Sequence, residues 1–180
     1  MGSPGVLGGA ATLVDFAADA TALSAAAFEA RHGRAFLLRY GGFDSLKSGV
    51  GMRATLSPDD DSTPGAATVR ADFLVFPIRS IRGLGQRAPV STGRTATNDI
   101  VIDDVSITQL HAVFSHAGDG TIVIQDAGSK NGTFVNDVAV PRSGEGEPVT
   151  LRLGDRVRLG SVDMTFLPVT EFRALVQRSC

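Results

Sequence analysis

The pattern of apolar and polar residues changes character partway along the chain. From Ala10 to about Arg31, apolar residues recur at spacings of three and four. That period is typical of an amphipathic helix, and it predicts either one helix or two short helices broken near residues 21–24. Gly33 follows directly and is a typical helix stop. The first third of the chain is therefore expected to be partly helical.

Short β-type runs follow a stretch that is rich in aspartate, proline and glycine. Residues 59–65 combine three aspartates with Pro64 and Gly65, which predicts a linker. From Phe73 to Leu167, short apolar runs alternate with turn residues. Roughly ten such runs with no helical pattern between them indicate an antiparallel β-sandwich of about a hundred residues. Gly154 and Asp155 separate two alternating runs and predict a hairpin turn.

These patterns divide the chain into three parts. Residues 1–67 form a partly helical N-terminal extension that ends in the linker, and residues 68–168 form the sandwich. Residues 169–180 form a short C-terminal helix, for which Thr170 is a suitable N-cap. Phe172 and Leu175 or Val176 are expected to pack this helix onto an end of the sandwich.

Composition and charge exclude several classes of protein. The formal net charge is −2, so no global field draws the chain to nucleic acid or anionic lipid. The single cysteine, Cys180, excludes a disulfide framework and a cysteine-based metal site. No apolar run approaches the roughly 18 to 20 residues of a membrane span, and the N-terminus lacks the pattern of a secretory signal. The expectation is a cytoplasmic protein that needs no cofactor or metal.

Three polar loops in the β-rich part carry groups suited to binding an oxyanion. The first contains Gly93 and Arg94, the second runs from Ser106 to Ala112, and the third from Gly128 to Thr133. Together they offer a guanidinium, a hydroxyl, an ammonium and an amide. Arginine presents a planar, permanently charged fork that fits two phosphate oxygens. The three loops therefore predict an anion-binding site.

Five fragments in this order resemble a known family. They are Gly93-Arg94, residues 98–102, the Thr108-x-x-His111-Ala112 fragment, residues 129–133 and Gly154-Asp155. Together they are similar to a forkhead-associated (FHA) domain over about residues 70 to 168. The resemblance implies an FHA-type antiparallel β-sandwich of about eleven strands that binds phosphothreonine peptides through loops at one end.

The resemblance also assigns roles to individual residues. Arg94 would be the main phosphate contact, with Lys130 as a second positive charge. Thr108 stands three residues before His111, where the family usually has serine, and its hydroxyl can still donate to phosphate; Ser106 is an alternative in another register. Gln109 could contact phosphate or peptide, and Asn131 would bond the peptide backbone. The resemblance assigns the structural support of the loops to five further residues, which are Gly93, His111, Ser129, Gly132 and Thr133.

The leading hypothesis is a non-catalytic module that binds phosphothreonine proteins in signalling by a Ser/Thr kinase. Its partner would be a phosphorylated protein, either the kinase itself or a kinase substrate. The change to Thr108 leaves open a degenerate scaffold that binds a partner without phosphate. An enzyme is disfavoured because residues 1–67 contain no cluster of acidic, histidine or cysteine side chains at catalytic spacing. Nucleic-acid binding is disfavoured because acidic residues outnumber basic ones from Gly93 to Pro168.

Overall fold

The structure is a computed structural model that describes residues 10–40, 73–81, 87–118 and 121–179. The predicted linker at residues 59–65 lies outside the described residues. Three helices and eleven strands occur within the described part of the chain. In chain order these are α1 (Val14–Ala22), α2 (Ala25–His32), β1 (Ala35–Tyr40), β2 (Phe73–Pro77), β3 (Val90–Gly93), β4 (Ile100–Val101), β5 (Ala112–His116), β6 (Ile122–Asp126), β7 (Thr133–Val135), β8 (Val138–Ala139), β9 (Val149–Thr150), β10 (Arg156–Leu159), β11 (Val162–Pro168) and α3 (Val169–Ser179).

The eleven strands form two sheets. The first has six strands in the order β2-β1-β11-β10-β7-β8, and the second has five in the order β4-β3-β5-β6-β9. Every pairing between strands is antiparallel except that of β3 with β4, which is parallel. The predicted mainly β sandwich is confirmed, with this one parallel pair as an addition.

Strand β1 lies inside the six-stranded sheet, between β2 and β11. Leu37 is paired with Phe76 on one side and with Phe166 on the other. The sandwich therefore includes residues 35–40, which the sequence pattern had assigned to the N-terminal extension. The sandwich therefore does not begin after the linker, because β1 and β2, which precede and follow the predicted linker, pair in one sheet.

Gly154 and Asp155 do not form the predicted hairpin. The preceding strand, β9, pairs with β6 in the five-stranded sheet, whereas β10 pairs with β11 and β7 in the other. The turn at Gly154, whose φ is +82°, therefore carries the chain from one sheet to the other. Alternating patterns on both sides of a turn indicate two strands, but they do not indicate that the strands pair with each other.

The two sheets enclose one hydrophobic core, which alternating residues of the strands supply. In β6, Ile122 and Ile124 face this core while Val123 and Gln125 are half-exposed. The alternation follows from the period-two geometry of a strand. This packing leaves the loops between strands at the ends of the sandwich, where their polar side chains reach solvent.

The three helices pack on the outer face of the six-stranded sheet. Phe172 of α3 stacks on Phe36 of β1, with ring centroids 3.8 Å apart, and Phe16 of α1 contacts both rings edge-on. Helix α3 therefore lies on a face of the sandwich rather than on the predicted end. It begins at Val169, one residue before the predicted cap Thr170.

The predicted break in the N-terminal helical pattern is present. Ser24 separates α1 from α2, and its hydroxyl accepts the backbone N–H of Ala27, as an N-cap does. Gly33 ends α2 with a φ of +103°. Within the described residues, no helix combines the length and the apolarity that crossing a membrane requires.

Candidate functional site

Three loops meet at one end of the sandwich. They are the β3–β4 loop (residues 94–99), the β4–β5 loop (residues 102–111) and the β6–β7 loop (residues 127–132). The Arg94 backbone N–H donates to the Thr108 carbonyl at 3.0 Å, and the Lys130 N–H donates to the Thr108 hydroxyl at 2.9 Å. Thr108 therefore joins the residues that carry the two candidate phosphate cations.

Gly93 permits the close approach of the first two loops. A Cβ at this position would overlap the Gln109 carbonyl oxygen and would lie 2.8 Å from Asn98 Nδ2. The Asn98 side chain is buried and donates to the same carbonyl at 2.6 Å and to the Thr95 carbonyl at 2.9 Å. Gly93 and Asn98 thereby set the position from which Arg94 extends. The sequence pattern had marked Asn98 only as part of a motif, without a structural role.

His111 connects the second loop to the third. Its Nδ1 accepts the Thr108 backbone N–H at 3.1 Å, and its Nε2 lies 3.1 Å from the Gly132 carbonyl. An accepting Nδ1 and a neighbouring carbonyl at Nε2 require the neutral tautomer that carries its proton on Nε2. Burial lowers the pKa of His111, although the Gly132 bond and the Asp126 charge act in the opposite direction. The ring is fully buried and bridges the two loops, the arrangement that the family resemblance implies.

Asp126 holds the β6–β7 loop from inside the sandwich. Its carboxylate accepts the backbone N–H groups of Gly128 and Ser129, both at 2.8 Å, and the hydroxyls of Ser129 and Thr133 at 2.5 and 2.7 Å. Burial alone would raise the pKa of Asp126, but these donors hold it below its usual value. Ser129 and Thr133 thus restrain the loop, and both are buried.

The sequence pattern missed Asp126 itself. An Asp three residues before a Ser, at the end of a strand, is a recognisable signal for a turn that a carboxylate stabilises. That signal is visible in the sequence and marks Asp126 as a support of the β6–β7 loop.

The structure distinguishes between the two candidate hydroxyls of the second loop. The Ser106 hydroxyl donates to Asp104 at 2.7 Å and accepts the Ser161 backbone N–H at 3.0 Å, so it links this loop to the β10–β11 turn. The Thr108 hydroxyl accepts the Lys130 N–H, and none of the described residues accepts its proton. These contacts favour Thr108 over Ser106 as the donor to a ligand.

Two exposed cations stand at this end of the sandwich without counter-ions. Within the described residues, neither the Arg94 guanidinium nor the Lys130 ammonium has an ion-pair partner. Both side chains are exposed, as is that of Gln109. Burying a cation costs free energy unless an anion compensates for the lost solvation. Because Arg94 and Lys130 are exposed and have no acidic partners among the described residues, they suit an anionic ligand.

Asn131 and Gly132 complete the third loop. Asn131 donates from Nδ2 to the Ser106 carbonyl at 2.8 Å, which leaves its Oδ1 as an acceptor facing away from that bond. Gly132 has a φ of +80°, and a Cβ there would lie 2.9 Å from the Phe134 ring. Both features would strain any larger residue at this position next to Asn131.

Comparisons with known proteins show what this chain is similar to. The FHA domain family model matches residues 90–160. An oxoglutarate dehydrogenase inhibitor from Corynebacterium diphtheriae is 34% identical over 68% of this chain and 79% of its own length. The glycogen accumulation regulator GarA from Mycobacterium tuberculosis is 35% identical over 66% of this chain and 67% of its own length. Both relatives are named as an inhibitor or a regulator rather than as an enzyme.

One similar solved structure comes from a structural and functional analysis of phosphothreonine-dependent FHA domain interactions. It is 18% identical to this chain, covers 73% of it and 94% of its own length, and superimposes with a TM-score of 0.43.

Among the described residues, no group of three or more histidine, cysteine or acidic side chains is arranged to hold a metal ion.

Proposed function

Because the chain belongs to the FHA domain family, we propose that it binds phosphothreonine in a partner protein and reads the output of a Ser/Thr kinase. The observation that carries the proposal is the convergence on Thr108 of the two loops that bear Arg94 and Lys130, cations that have no ion-pair partner in the part of the chain that the structure describes. A phosphate held there would accept from a guanidinium, an ammonium and a hydroxyl. Charge-assisted bonds of this kind contribute about 1.5 to 3 kcal/mol each.

Each site residue has a distinct task in this proposal. Arg94 and Lys130 neutralise the phosphate, and Thr108 donates its hydroxyl proton to a phosphate oxygen. The free Oδ1 of Asn131 accepts a backbone N–H of the bound peptide and thereby sets its register. Gln109, exposed beside Thr108, contacts either the phosphate or the peptide backbone. His111, Asp126 and the glycines keep the loops in place and do not touch the ligand.

The protein acts by binding, without a reaction of its own. The relatives support this part of the proposal, since one is named as an inhibitor of oxoglutarate dehydrogenase and another as a regulator of glycogen accumulation. By analogy, the partner is a protein whose activity changes when this chain binds it, and the phosphorylated protein is the kinase itself or one of its substrates.

The proposal is tested with a degenerate peptide library in phosphothreonine, phosphoserine and unphosphorylated forms. Wild-type protein should bind the phosphothreonine form with micromolar affinity, because ordering the peptide offsets much of the gain from its contacts. Arg94→Ala should abolish binding and leave the fold intact, since Arg94 is exposed. Arg152→Ala is the matched control, because Arg152 is also an exposed cation and lies next to the turn at Gly154.

The alternative of a scaffold that ignores phosphate makes a different prediction. Such a scaffold would bind unphosphorylated and phosphorylated peptides equally, and Arg94→Ala would not change its affinity. Either result would refute the proposal.

A further inference from the structure

Arg142 lies beside the candidate site, on the loop that joins β8 to β9. The chain there runs along Asp126: the Asp126 N–H donates to the Pro141 carbonyl at 3.3 Å, and the Ser143 N–H donates to the Asp126 carbonyl at 2.8 Å. Since the Asp126 carboxylate also binds Ser129, the backbone of Arg142 is held next to the β6–β7 loop. From this position its guanidinium reaches that loop.

Arg142 and Thr108 engage the two sides of a single peptide unit. Nη2 of Arg142 lies 3.4 Å from the Ser129 carbonyl oxygen, and the N–H of the same peptide unit, that of Lys130, donates to the Thr108 hydroxyl at 2.9 Å. A trans peptide directs its C=O and N–H to opposite sides. The Ser129–Lys130 peptide is therefore held between a cation and a hydroxyl.

The hydrogen bond from the Ser129–Lys130 peptide determines the direction of the Thr108 hydroxyl proton. A hydroxyl that accepts an N–H must direct its own proton elsewhere. A cation at the Ser129 carbonyl polarises the peptide and strengthens the N–H of Lys130 as a donor, because hydrogen bonds in a chain reinforce one another. A stronger bond from the Lys130 N–H to the Thr108 hydroxyl therefore keeps the hydroxyl proton directed toward the solvent side, where a phosphate would bind.

Within the described residues, Arg142 is the only partner of the Ser129 carbonyl. Its N–H and hydroxyl are both taken by Asp126, and the residue is only 1% exposed. Buried carbonyls are normally satisfied, so Arg142 supplies the bond that this group requires. The guanidinium itself is exposed and has no acidic partner in an ion pair among the described residues.

We propose that Arg142 is a positioning residue for phosphothreonine recognition, which orients the Ser129–Lys130 peptide so that the Thr108 hydroxyl donates to the phosphate. This inference rests on the proposed function. Arg142 would act through the orientation of Thr108 and not through a direct contact between its guanidinium and the ligand.

The test is a double-mutant cycle on the affinity for one fixed phosphothreonine peptide, chosen as the tightest binder in the library. Arg142→Gln should weaken binding about fivefold, the equivalent of one ordinary hydrogen bond. Thr108→Val removes the hydroxyl but keeps Arg94 and Lys130, so residual binding stays measurable. In the Thr108→Val background, Arg142→Gln should have no further effect.

Two controls sharpen the cycle. Arg142→Lys retains the positive charge and a donor, so it should recover part of the lost affinity, whereas Arg152→Gln should leave the affinity unchanged. An equal loss from Arg142→Gln in both backgrounds would overturn the proposal, because it would show that the charge acts directly on the ligand. An unchanged affinity in the wild-type background would overturn it as well.

A measurement without ligand separates this inference from the proposed function. Hydrogen exchange at the Lys130 amide should become faster in Arg142→Gln and stay at the wild-type rate in Arg152→Gln. Unchanged exchange would refute the positioning role even if the protein binds phosphopeptides. Faster exchange in a protein that binds no phosphopeptide would refute the proposed function. It would then support only the contact between Arg142 and the Ser129–Lys130 peptide.

Discussion

The carboxylate of Asp126 binds Ser129 twice, through its backbone N–H at 2.8 Å and through its hydroxyl at 2.5 Å. Ser129 immediately precedes Lys130, so a buried acid inside the sandwich determines where a surface cation stands. The same carboxylate also accepts the Thr133 hydroxyl on the far side of the loop. The β6–β7 loop is thus fixed at both of its ends before any ligand arrives.

Removing the Asp126 carboxylate should destabilise the protein and weaken its binding together. Asp126→Ala leaves several buried donors without an acceptor, and each such group costs about 1 to 3 kcal/mol. We expect a loss of about 3 kcal/mol in the free energy of unfolding, measured by urea denaturation, and a smaller loss for Asp126→Asn, which retains one oxygen. Equal stability of wild type and Asp126→Ala would contradict this role.

The same carboxylate predicts a loss of stability in acid. The pKa of Asp126 is lowered in the folded protein, so its contribution is complete above the unfolded value of 3.8 and declines as the pH falls through the folded value. Urea denaturation between pH 5 and pH 2.5 should show this decline. In Asp126→Asn the dependence on pH should be visibly flatter, and an identical slope in both proteins would argue against it.

His111 predicts a second dependence on pH, closer to neutrality. Its pKa is lowered below 6.5 in the folded state, so between that lowered value and 6.5 the unfolded chain binds more protons. Stability should therefore be highest above pH 6.5 and should fall as the pH is lowered toward the folded value. A protonated ring would also present a donor to the Thr108 N–H and so break that bond.

His111 must be separated from His32, whose pKa burial also lowers even though its bond to Asp19 acts to raise it. NMR titration of the individual imidazole rings provides that separation. We expect the His111 ring to titrate below pH 6.5, with the Thr108 amide signal shifting at the same midpoint. A His111 midpoint above 6.5 would show that folding favours the protonated ring, contrary to the bonding described above.

Gly93→Ala should damage the site through the backbone. The added Cβ would overlap the Gln109 carbonyl, which belongs to the main chain and cannot rotate away. We expect a loss of about 1 to 3 kcal/mol in stability and a measurable loss of phosphopeptide affinity, because Arg94 is displaced. Gly118→Ala is the control, since a Cβ there meets no atom within 4 Å. Comparable effects at the two glycines would argue against the close approach.

The helical layer should matter for stability and not for recognition. Phe172 is fully buried against Phe36 and Phe16, so Phe172→Ala should cost about 3 to 5 kcal/mol. Under conditions in which this variant remains folded, its affinity for a phosphothreonine peptide should equal that of wild type. A selective loss of affinity in the folded variant would show that the helices couple to the binding loops.

Local patterns in the sequence were sufficient to predict the helices and to select candidate residues for the site. The spacing of apolar residues and the break near Ser24 indicated α1 and α2, because both signals lie within a few residues of each other. The basic and amide residues of the three loops were likewise visible as candidates. The spacing of three residues to His111 already favoured Thr108 over Ser106, whereas the bonds that engage the Ser106 hydroxyl, to Asp104 and Ser161, depend on the tertiary structure.

Features that depend on distant parts of the chain escaped the sequence patterns. The pairing of β1 with β11 joins residues more than a hundred positions apart, so no local period could place β1 in the sandwich. The same reason explains why β9 and β10, although adjacent in sequence, belong to different sheets. The contact of Arg142 with Ser129 depends on how the β8–β9 loop folds against Asp126, which composition does not encode.

The most direct measurement of the central claim is an NMR titration of the labelled protein with one phosphothreonine peptide. The largest amide shifts should fall on Arg94, Thr108, Gln109, Lys130 and Asn131, and they should vanish in Arg94→Ala while the spectrum remains that of a folded protein. Shifts that map to the helical layer, or that persist unchanged in Arg94→Ala, would contradict the assignment of this end of the sandwich as the phosphothreonine site.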